Sequence, residues 1–393
     1  MLIKNTRIYA EESLDIRIKD GKILQIGHKL KAQNNEEIFD ANDLICLPSF
    51  IDLNINIKND SFSLDNLNLL EKECIQGGFS TIVLRDKMDF DEQSLALFLN
   101  HLKNFKINIL ASVRVLDQNQ KLKNISTLLS NGAIALELKS NSNANILKQS
   151  MQYALMKNAR LFVKCYDEGF DDNGVMNDSI TSFNQGLVGM SEICELSEVA
   201  KIKQITKFYK VKIIYDNLSL NKSLNLLDDD ELVQISIHNL LKSDKECEYF
   251  NTFAKLTPPL RDEKECQALK NALKNGKITF LSSAHSPKSI IYKDVAFDEA
   301  KYGIHSLHEY LALCNSFFVK NGFLSWRALC NYTSLNQAKF LNINSGEIKE
   351  GKDANLILFD ENSQINTPTN SLYTKDKLYG ELKAHFINGQ RLI

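Results

Sequence analysis

The most chemically suggestive segment is a run in which polar and apolar side chains alternate strictly. Residues 50–58 read Phe-Ile-Asp-Leu-Asn-Ile-Asn-Ile-Lys, which places Asp52, Asn54, Asn56 and Lys58 on one side of a predicted strand. Unpaired buried amides and charges are costly. We therefore expect the apolar residues of this strand to pack on helices and its polar residues to face a site.

The histidine and cysteine positions favour structural roles. His285 stands without a neighbouring ligand residue, which favours a hydrogen-bonded structural histidine. His305 and His308 have helical spacing at a predicted helix start, which favours surface capping over a metal pair. Alternation turns Cys165 away from the side of Lys164, so a nucleophilic role is disfavoured. The eight cysteines include no CxxC pair, and we interpret them as reduced thiols, most of which fill the core.

A long series of alternating strands and helices must position these residues. Helical patterns include 145–158, 191–209 and 262–275. Eight strand-like runs are predicted, at 51–57, 81–84, 107–115, 133–138, 160–163, 211–215, 232–237 and 278–282. Eight strands alternating with helices over roughly 290 residues are typical of a (β/α)8 barrel. A doubly wound sheet is the alternative, but no GxGxxG follows an early strand and no P-loop occurs.

The two ends of the chain have a different texture, with short alternating runs and tight turns. Asp20-Gly21 and Asn388-Gly389 each separate two such runs, which is a strong hairpin signal. We therefore predict a small composite β domain from residues 1–46 and 345–393. The barrel domain is predicted to span residues 47–344.

Composition excludes several functional classes. The chain has 393 residues, with 47 Lys and Arg against 49 Asp and Glu, 24% charged and 44% hydrophobic residues. This balance predicts a globular protein without a nucleic-acid partner. No apolar run approaches the roughly 18 residues of a membrane span, and Glu11, Glu12 and Asp15 lie where a signal peptide would be apolar. We expect a cytoplasmic protein with no membrane partner.

Several motifs resemble dihydroorotase and its cyclic-amidohydrolase relatives. They are spread in order over essentially the whole chain, at residues 47–58, 77–81, 164–167, 257–261, 283–288 and 346–356. The resemblance implies an amidohydrolase-type TIM barrel with a small β-sandwich domain built from both chain ends. It also implies hydrolysis of cyclic amides at a zinc centre.

The positions that would hold this zinc carry unsuitable side chains. The resemblance implies a His-x-His on the first strand, single histidines on the fifth and sixth strands and an aspartate on the eighth, which correspond here to Asn54, Asn56, Lys164, Tyr215 and Ala284. Amides, ammonium groups, phenols and methyl groups are poor ligands for zinc or none at all. Lys139 lies near the fourth-strand ligand position and is the one remaining candidate. We therefore expect no metal and no other cofactor.

By the same resemblance, a set of lysines maps near the mouth of the predicted barrel. The candidate anion pocket comprises Lys58, Lys87, Lys139, Thr257, His285 and Lys288, with Lys164 nearby. One interpretation is that these ammonium groups replace the lost metal and bind a carboxylate metabolite without turnover. The other is that long lysine side chains extend to solvent from a disused pocket.

The favoured functional interpretation is a catalytically inactive dihydroorotase-like protein linked to de novo pyrimidine biosynthesis. The resemblance makes aspartate carbamoyltransferase the partner to test, with this chain as a scaffold and as a homo-oligomer. The alternative is an active metal-dependent dihydroorotase or cyclic amidohydrolase with a rebuilt site, which would interconvert carbamoyl-aspartate and dihydroorotate. A third interpretation is a sensor of small anions.

Overall fold

The computed structural model describes all residues from Met1 to Ile393. The strands are β1 (Leu2–Ile8), β2 (Ser13–Lys19), β3 (Lys22–Gly27), β4 (Ile38–Asp40), β5 (Ile45–Pro48), β6 (Phe50–Ile55), β7 (Phe79–Leu84), β8 (Asn108–Arg114), β9 (Ala135–Lys139), β10 (Leu161–Lys164), β11 (Met176–Asn177), β12 (Gly189–Met190), β13 (Ile214–Tyr215), β14 (Leu232–Ser236), β15 (Phe280–Ser282), β16 (Leu356–Gln364), β17 (Tyr379–Ile387) and β18 (Gln390–Arg391). The α-helices are α1 (Leu64–Gly77), α2 (Glu92–Leu102), α3 (Ile125–Ser130), α4 (Ala144–Lys157), α5 (Ile180–Gln185), α6 (Ile193–Tyr209), α7 (Asn221–Leu226), α8 (Ile237–Leu241), α9 (Glu263–Lys274), α10 (Tyr310–Cys314), α11 (Trp326–Cys330) and α12 (Asn336–Leu341).

Eight parallel strands form the barrel, in the order β6 to β10 followed by β13 to β15. Each overlaps one of the eight predicted runs, and α4, α6 and α9 match the predicted helices within two residues. Two contacts nearly close the barrel between its first and last strands. The Asn56 backbone N–H donates to the carbonyl of His285 at 2.8 Å, and the Ser283 N–H donates to the Asp52 carboxylate at 2.7 Å. The (β/α)8 architecture is confirmed.

The interior of the barrel is apolar at the end where its strands begin. One packed cluster takes side chains from every barrel strand and from α12, namely Ile51, Leu53, Val83, Leu110, Ala135, Phe162, Ile214, Leu232, Phe280, Ala338 and Leu341. Residues contributed by all eight strands meet only inside the barrel. The Arg160 guanidinium bonds to the Phe340 carbonyl at 2.6 Å, so α12 covers the starting end of β10. Access from solvent is therefore left at the opposite end, where the strands finish.

The prediction of strict alternation along the first barrel strand was wrong in part. Ile51 and Leu53 face the barrel interior, not the helices, and Asp52 points away from it. The pairing of β6 with β7 is irregular between Asp52 and Ile55, and this irregularity returns Asn54 to the interior. Burial raises the pKa of Asp52 to about 6. Asp52 therefore joins β6 to Ser283 and does not line the site.

The small domain contains an eight-stranded sheet with strands from both chain ends. The order is β18-β17-β16-β5-β1-β2-β3, with β4 added alongside β1. The predicted turn at Asp20-Gly21 joins β2 to β3, and the one at Asn388-Gly389 joins β17 to β18. All four turn residues have positive φ, as expected for a two-residue hairpin turn. The composite β unit is confirmed, whereas the domain boundaries after residues 46 and 344 stay predictions.

All eight cysteines are free and buried, as predicted from their spacing. None of the helices combines the length and apolar character needed to cross a bilayer.

Candidate functional site

The guanidinium group of Arg85 occupies the centre of the barrel above the apolar cluster. Arg85 directly follows β7, and period-two alternation carries its side chain to the same side as Val83. Its carbon Cζ lies 3.9 Å from the centre of the Phe162 ring, which forms the floor of the site. The side chain is only 5% exposed. A permanent cation is thus fixed on the barrel axis by stacking and burial.

Three strands supply the polar partners of Arg85. Its Nη2 donates to the Asp216 carboxylate at 2.6 Å, and its Nε donates to the Asn54 amide oxygen at 3.3 Å. Gln234 also donates to Asp216, at 2.7 Å. The Glu137 carboxylate lies 3.9 Å from Nη1 and accepts from the Ser112 hydroxyl and the Asp86 backbone N–H. Arg85 is therefore balanced by a close carboxylate and a more distant one.

Hydrogen-bonding capacity is left over around this ion pair. Buried polar atoms without a protein partner lie in barrel strands or directly after them: Arg85 Nη1, Asn56 Oδ1, Asn217 Oδ1, Gln234 Oε1 and Ser282 Oγ. Buried polar atoms are normally paired, so such a group is usually completed by water or by a ligand. The set combines one cationic donor with amide and hydroxyl groups. The unpaired amide atoms are oxygens, which accept hydrogen bonds. The set is therefore suited to a small polar ligand that offers an anionic oxygen to the guanidinium group and N–H groups to the amide oxygens.

The structure brings only part of the predicted ligand set together. Asn54 contacts Arg85, while Asn56 lies just beyond the end of β6. Ala284 follows β15 with a positive φ of 49°. Tyr215 does not point into the barrel, because its hydroxyl meets Thr206 and Glu231 on the outer side, at 3.5 and 3.1 Å. The choice of Tyr215 as the sixth-strand position was therefore wrong, and Asp216 is the residue that reaches the interior.

The predicted lysines divide between two places. Lys139 and Lys164 are paired neighbours on β9 and β10. Burial lowers the pKa of Lys164, and the charges of Lys139 and Lys87 lower it further. The ammonium group of Lys164 makes no hydrogen bond or ion pair with the protein. The ammonium group of Lys139, in contrast, lies 3.5 Å from the exposed carboxylate of Glu168. Of these two, Lys164 is therefore the ammonium group more available to an anion.

The other members of the predicted anion pocket are engaged elsewhere or exposed. Lys288 is almost fully buried and pairs with Asp60 at 2.7 Å. Thr257 is exposed. Lys58 lies near His305, and its charge opposes the rise in the pKa of His305 that the Glu73 carboxylate causes against the effect of burial. Of the candidate anion pocket, only Lys139 and Lys87 remain, and they lie around Lys164.

His285 belongs to a separate cluster against helix α1. Its Nε2 lies 3.3 Å from one carboxylate oxygen of Glu73, and the other carboxylate oxygen lies 3.0 Å from His305 Nε2. Although burial opposes ionisation, the two histidines hold the pKa of Glu73 at about 2. His305 is therefore an ion-pair partner, which corrects its predicted capping role.

The chemistry of these donor sets does not fit a divalent metal at either place. At the mouth, the Asn54 amide oxygen is occupied by Arg85, Lys164 is an ammonium group and Ala284 has no donor atom. In the α1 cluster, His285 Nδ1 accepts the Ser306 N–H at 3.2 Å. The proton of the neutral ring then sits on Nε2, which is the nitrogen that faces Glu73 and would have to bind the metal.

A second buried arginine organises the wall beside the mouth. Arg261 donates to the Asn177 amide oxygen, the Met190 carbonyl and the Ser219 hydroxyl, all within 3.0 Å. Ser219 in turn donates to the buried carboxylate of Glu195 at 2.6 Å. Asn177 and Met190 belong to β11 and β12. These strands lie in the segment between β10 and α6, residues 165–192, which we call the β11–β12 excursion. Arg261 thus fastens that excursion to the barrel.

Arg85 and Asp216 are the site residues that the sequence analysis missed. Each stands two residues after an inward apolar residue, Val83 or Ile214, at the end of a strand. That spacing was a usable signal. The resemblance to the family pointed instead to the metal-ligand positions, which do not include Arg85 or Asp216.

Comparisons with known proteins agree with this architecture. The model of the amidohydrolase family matches residues 198–392. A probable dihydroorotase-like protein of Helicobacter pylori is 28% identical over 400 residues, covering 99% of this chain and 97% of that protein. A dihydroorotase of Elusimicrobium minutum is 26% identical, covering 96% and 92%.

Solved structures give the same fold at lower sequence identity. The L-hydantoinase (dihydropyrimidinase) of Arthrobacter aurescens superposes with a TM-score of 0.86 at 17% identity, covering 100% of this chain and 95% of that one. The dihydropyrimidinase of Brevibacillus agri gives a TM-score of 0.85 at 18% identity, with coverages of 100% and 94%. These neighbours establish the barrel and the attached small domain.

Proposed function

We propose that this chain is a non-catalytic member of the amidohydrolase family that binds a small carboxylate at the barrel mouth. The family model matches residues 198–392, and a dihydroorotase-like protein aligns with 99% of the chain. The observation that carries the proposal is the Arg85–Asp216 ion pair on the barrel axis. A guanidinium group occupies the region where the family would concentrate ligands for zinc, and it repels a dication. Without a metal-bound water, the site has no group that supplies hydroxide at neutral pH.

The carboxylate would be held by charge and hydrogen bonds, with no bond broken. Arg85 Nη1 and Lys164 Nζ supply positive charge, and the unpaired amide oxygens of Asn56, Asn217 and Gln234 would accept hydrogen bonds from N–H groups of the ligand. Asp216 and Glu137 orient Arg85 and restrict the mouth to ligands of low net charge. Dihydroorotate and carbamoyl-aspartate are the first carboxylates to test, because the relatives carry dihydroorotase names.

The decisive experiment combines metal analysis, turnover and binding on one preparation. Protein purified without chelator or a histidine tag is analysed by plasma mass spectrometry and assayed for dihydroorotase activity in both directions, with and without added zinc. We expect no stoichiometric metal and no turnover above the protein-free rate. One tightly bound zinc per chain with turnover would instead establish the alternative, an active cyclic amidohydrolase with a rebuilt site.

Calorimetry tests the binding half of the proposal. We expect heat on titration with dihydroorotate or carbamoyl-aspartate, with millimolar or tighter affinity. An absence of heat at millimolar ligand would remove the carboxylate site and leave the lysines as solvated side chains. The link to pyrimidine biosynthesis, the scaffold role toward aspartate carbamoyltransferase and the homo-oligomer are further proposals. Sedimentation of this chain alone and mixed with that enzyme tests the last two.

A further inference from the structure

An exposed apolar face lies on the β11–β12 excursion and the neighbouring loop after α8. Ile180 and Phe183 project from α5 with exposures of 78% and 82%, and Tyr249 is 93% exposed. Val188 and Phe250 are about half exposed. From the usual size of such side chains, these five residues present roughly 600 Å². We call them the 180/250 face. It equals the largest apolar patches of typical monomers, which are often functional.

The 180/250 face is held in place by the fold. The Phe250 backbone N–H donates to the side chain of Gln185, the last residue of α5, at 3.1 Å. Behind the face, Arg261 bonds to Asn177 and Met190, and Asn177 donates to buried Asp244. These bonds fix both segments against the barrel wall. The apolar side chains are therefore presented on an anchored surface.

The surroundings of this face are acidic. Between residues 165 and 192 the chain has six acidic residues, at 167, 168, 171, 172, 178 and 192, and no Lys, Arg or His. Glu168 and Glu192 are paired with Lys139 and Lys222. Asp172, Asp178 and Glu248 are exposed and form no ion pair. The loop that carries Tyr249 and Phe250 also has one exposed lysine without an ion pair, Lys245. The free charge around the apolar side chains is therefore negative on balance, with three carboxylates against one ammonium group.

From this combination we infer that the 180/250 face docks a different protein whose contact surface pairs apolar side chains with Lys or Arg. Rim charges complementary to the free carboxylates would steer and orient such a partner. A second copy of this chain is a poor occupant, because a symmetric contact would oppose each acidic rim to an identical one. With its rim, the face approaches the roughly 800 Å² per partner of a standard interface. The inference deepens the scaffold part of the proposed function and rests on it.

Site-specific photo-crosslinking in the source cells tests this docking surface. The full chain carries p-benzoylphenylalanine in place of Phe183, or in place of Phe208 as the matched control. Phe208 is 78% exposed but follows Lys207 and lies outside the face. Cross-linked peptides are identified by mass spectrometry. A second set adds Asp172→Lys with Glu248→Lys, and Lys207→Glu serves as the charge control.

We expect a cross-link from position 183 to a basic, apolar peptide of another protein, reduced at least fivefold by the two lysine substitutions and unchanged by Lys207→Glu. A peptide from a second copy, an acidic peptide, insensitivity to the lysine substitutions, or no cross-link above the Phe208 control would each overturn the inference. Circular dichroism confirms that the variants are folded. The turnover assay is run on the same protein. Dihydroorotase activity would overturn the proposed function. The cross-link result tests the docking surface separately, so the two failures can be distinguished.

Discussion

Arg85 and Arg261 are both buried guanidinium groups of one barrel, yet their surroundings differ. Arg85 is paired directly with Asp216, and unpaired polar atoms of several strands lie around it. Arg261 is linked to Glu195 by hydrogen bonds through Ser219, and its other bonds fasten β11 and β12. Each guanidinium group keeps one unpaired nitrogen, Nη1 of Arg85 and Nη2 of Arg261. The additional unpaired amide and hydroxyl groups at the strand ends indicate a binding site at the mouth, whereas the bonds of Arg261 between distant segments indicate a structural joint.

The largest effect should come from removing the structural joint. Arg261→Ala leaves the Ser219 hydroxyl, the Asn177 amide oxygen and the Met190 carbonyl without their shared donor. It also removes the cation near the buried carboxylate of Glu195, so we expect a loss of about 3–5 kcal/mol in the free energy of unfolding. Urea denaturation measures it. The control is Arg327→Ala, which removes an exposed ion pair with Glu11 and should cost less than about 1 kcal/mol. A loss from Arg261→Ala no greater than the control's would show that the excursion is held by other contacts.

Substitutions at the barrel mouth should lower the free energy of unfolding by less, because Arg85 and Asp216 can be replaced together without leaving an unpaired charge. Arg85→Met retains contact with Phe162 but leaves Asp216 buried beside Gln234, and we expect a loss of about 2 kcal/mol. Adding Asp216→Asn should recover at least half of that loss. A double-mutant cycle in urea gives the coupling energy. Strictly additive losses would contradict the direct ion pair.

Lys164→Gln should separate binding from stability. It removes a half-buried ammonium group that makes no ion pair, so the free energy of unfolding should change by less than about 1 kcal/mol. Carboxylate affinity measured by calorimetry should fall about tenfold, the effect of one charge-assisted hydrogen bond. Lys212→Gln, which is exposed and pairs only with Asp230, is the control and should leave affinity unchanged. Equal affinity in both variants would place the ligand elsewhere.

The smallest expected effect is the loss of stability at low pH. It arises from Glu73, which lies outside the hydrogen-bond networks of Arg85 and Arg261. The pKa of Glu73 is about 2 in the folded protein and 4.5 ordinarily. Its stabilisation is therefore fully present above pH 4.5 and is lost as pH falls toward 2. Between pH 4.5 and 3.5 this loss is about 1 kcal/mol, because the unfolded carboxyl is already half protonated at pH 4.5. Glu73→Gln should flatten that part of the pH profile in urea denaturation. An unchanged slope would show that the histidines do not hold this carboxylate ionised.

Periodicity and turn chemistry in the sequence were sufficient to predict the architecture. Apolar runs marked all eight barrel strands, and Asp20-Gly21 and Asn388-Gly389 marked two hairpins. Side-chain direction was harder to predict, because the pairing irregularity near Asp52 depends on the neighbouring strand and leaves no mark in composition. The pairing of Glu73 with His285 was equally hidden, since it joins residues more than 200 positions apart. Such contacts follow only from the assembled barrel.

The sheet that unites the two chain ends has a consequence for biosynthesis. Residues 45–48 of β5 pair with residues 356–359 of β16, so β5 has its second neighbour only after the whole barrel has been translated, although β1 pairs with its other side from the start. Until then, the early strands present an open edge to other nascent chains, a known route to misassembly. The late arrival of β16 and β17 then seals that edge. Loss of the last 40 or so residues would therefore leave a complete barrel attached to a partial sheet whose exposed edge strand, β5, can pair with other chains.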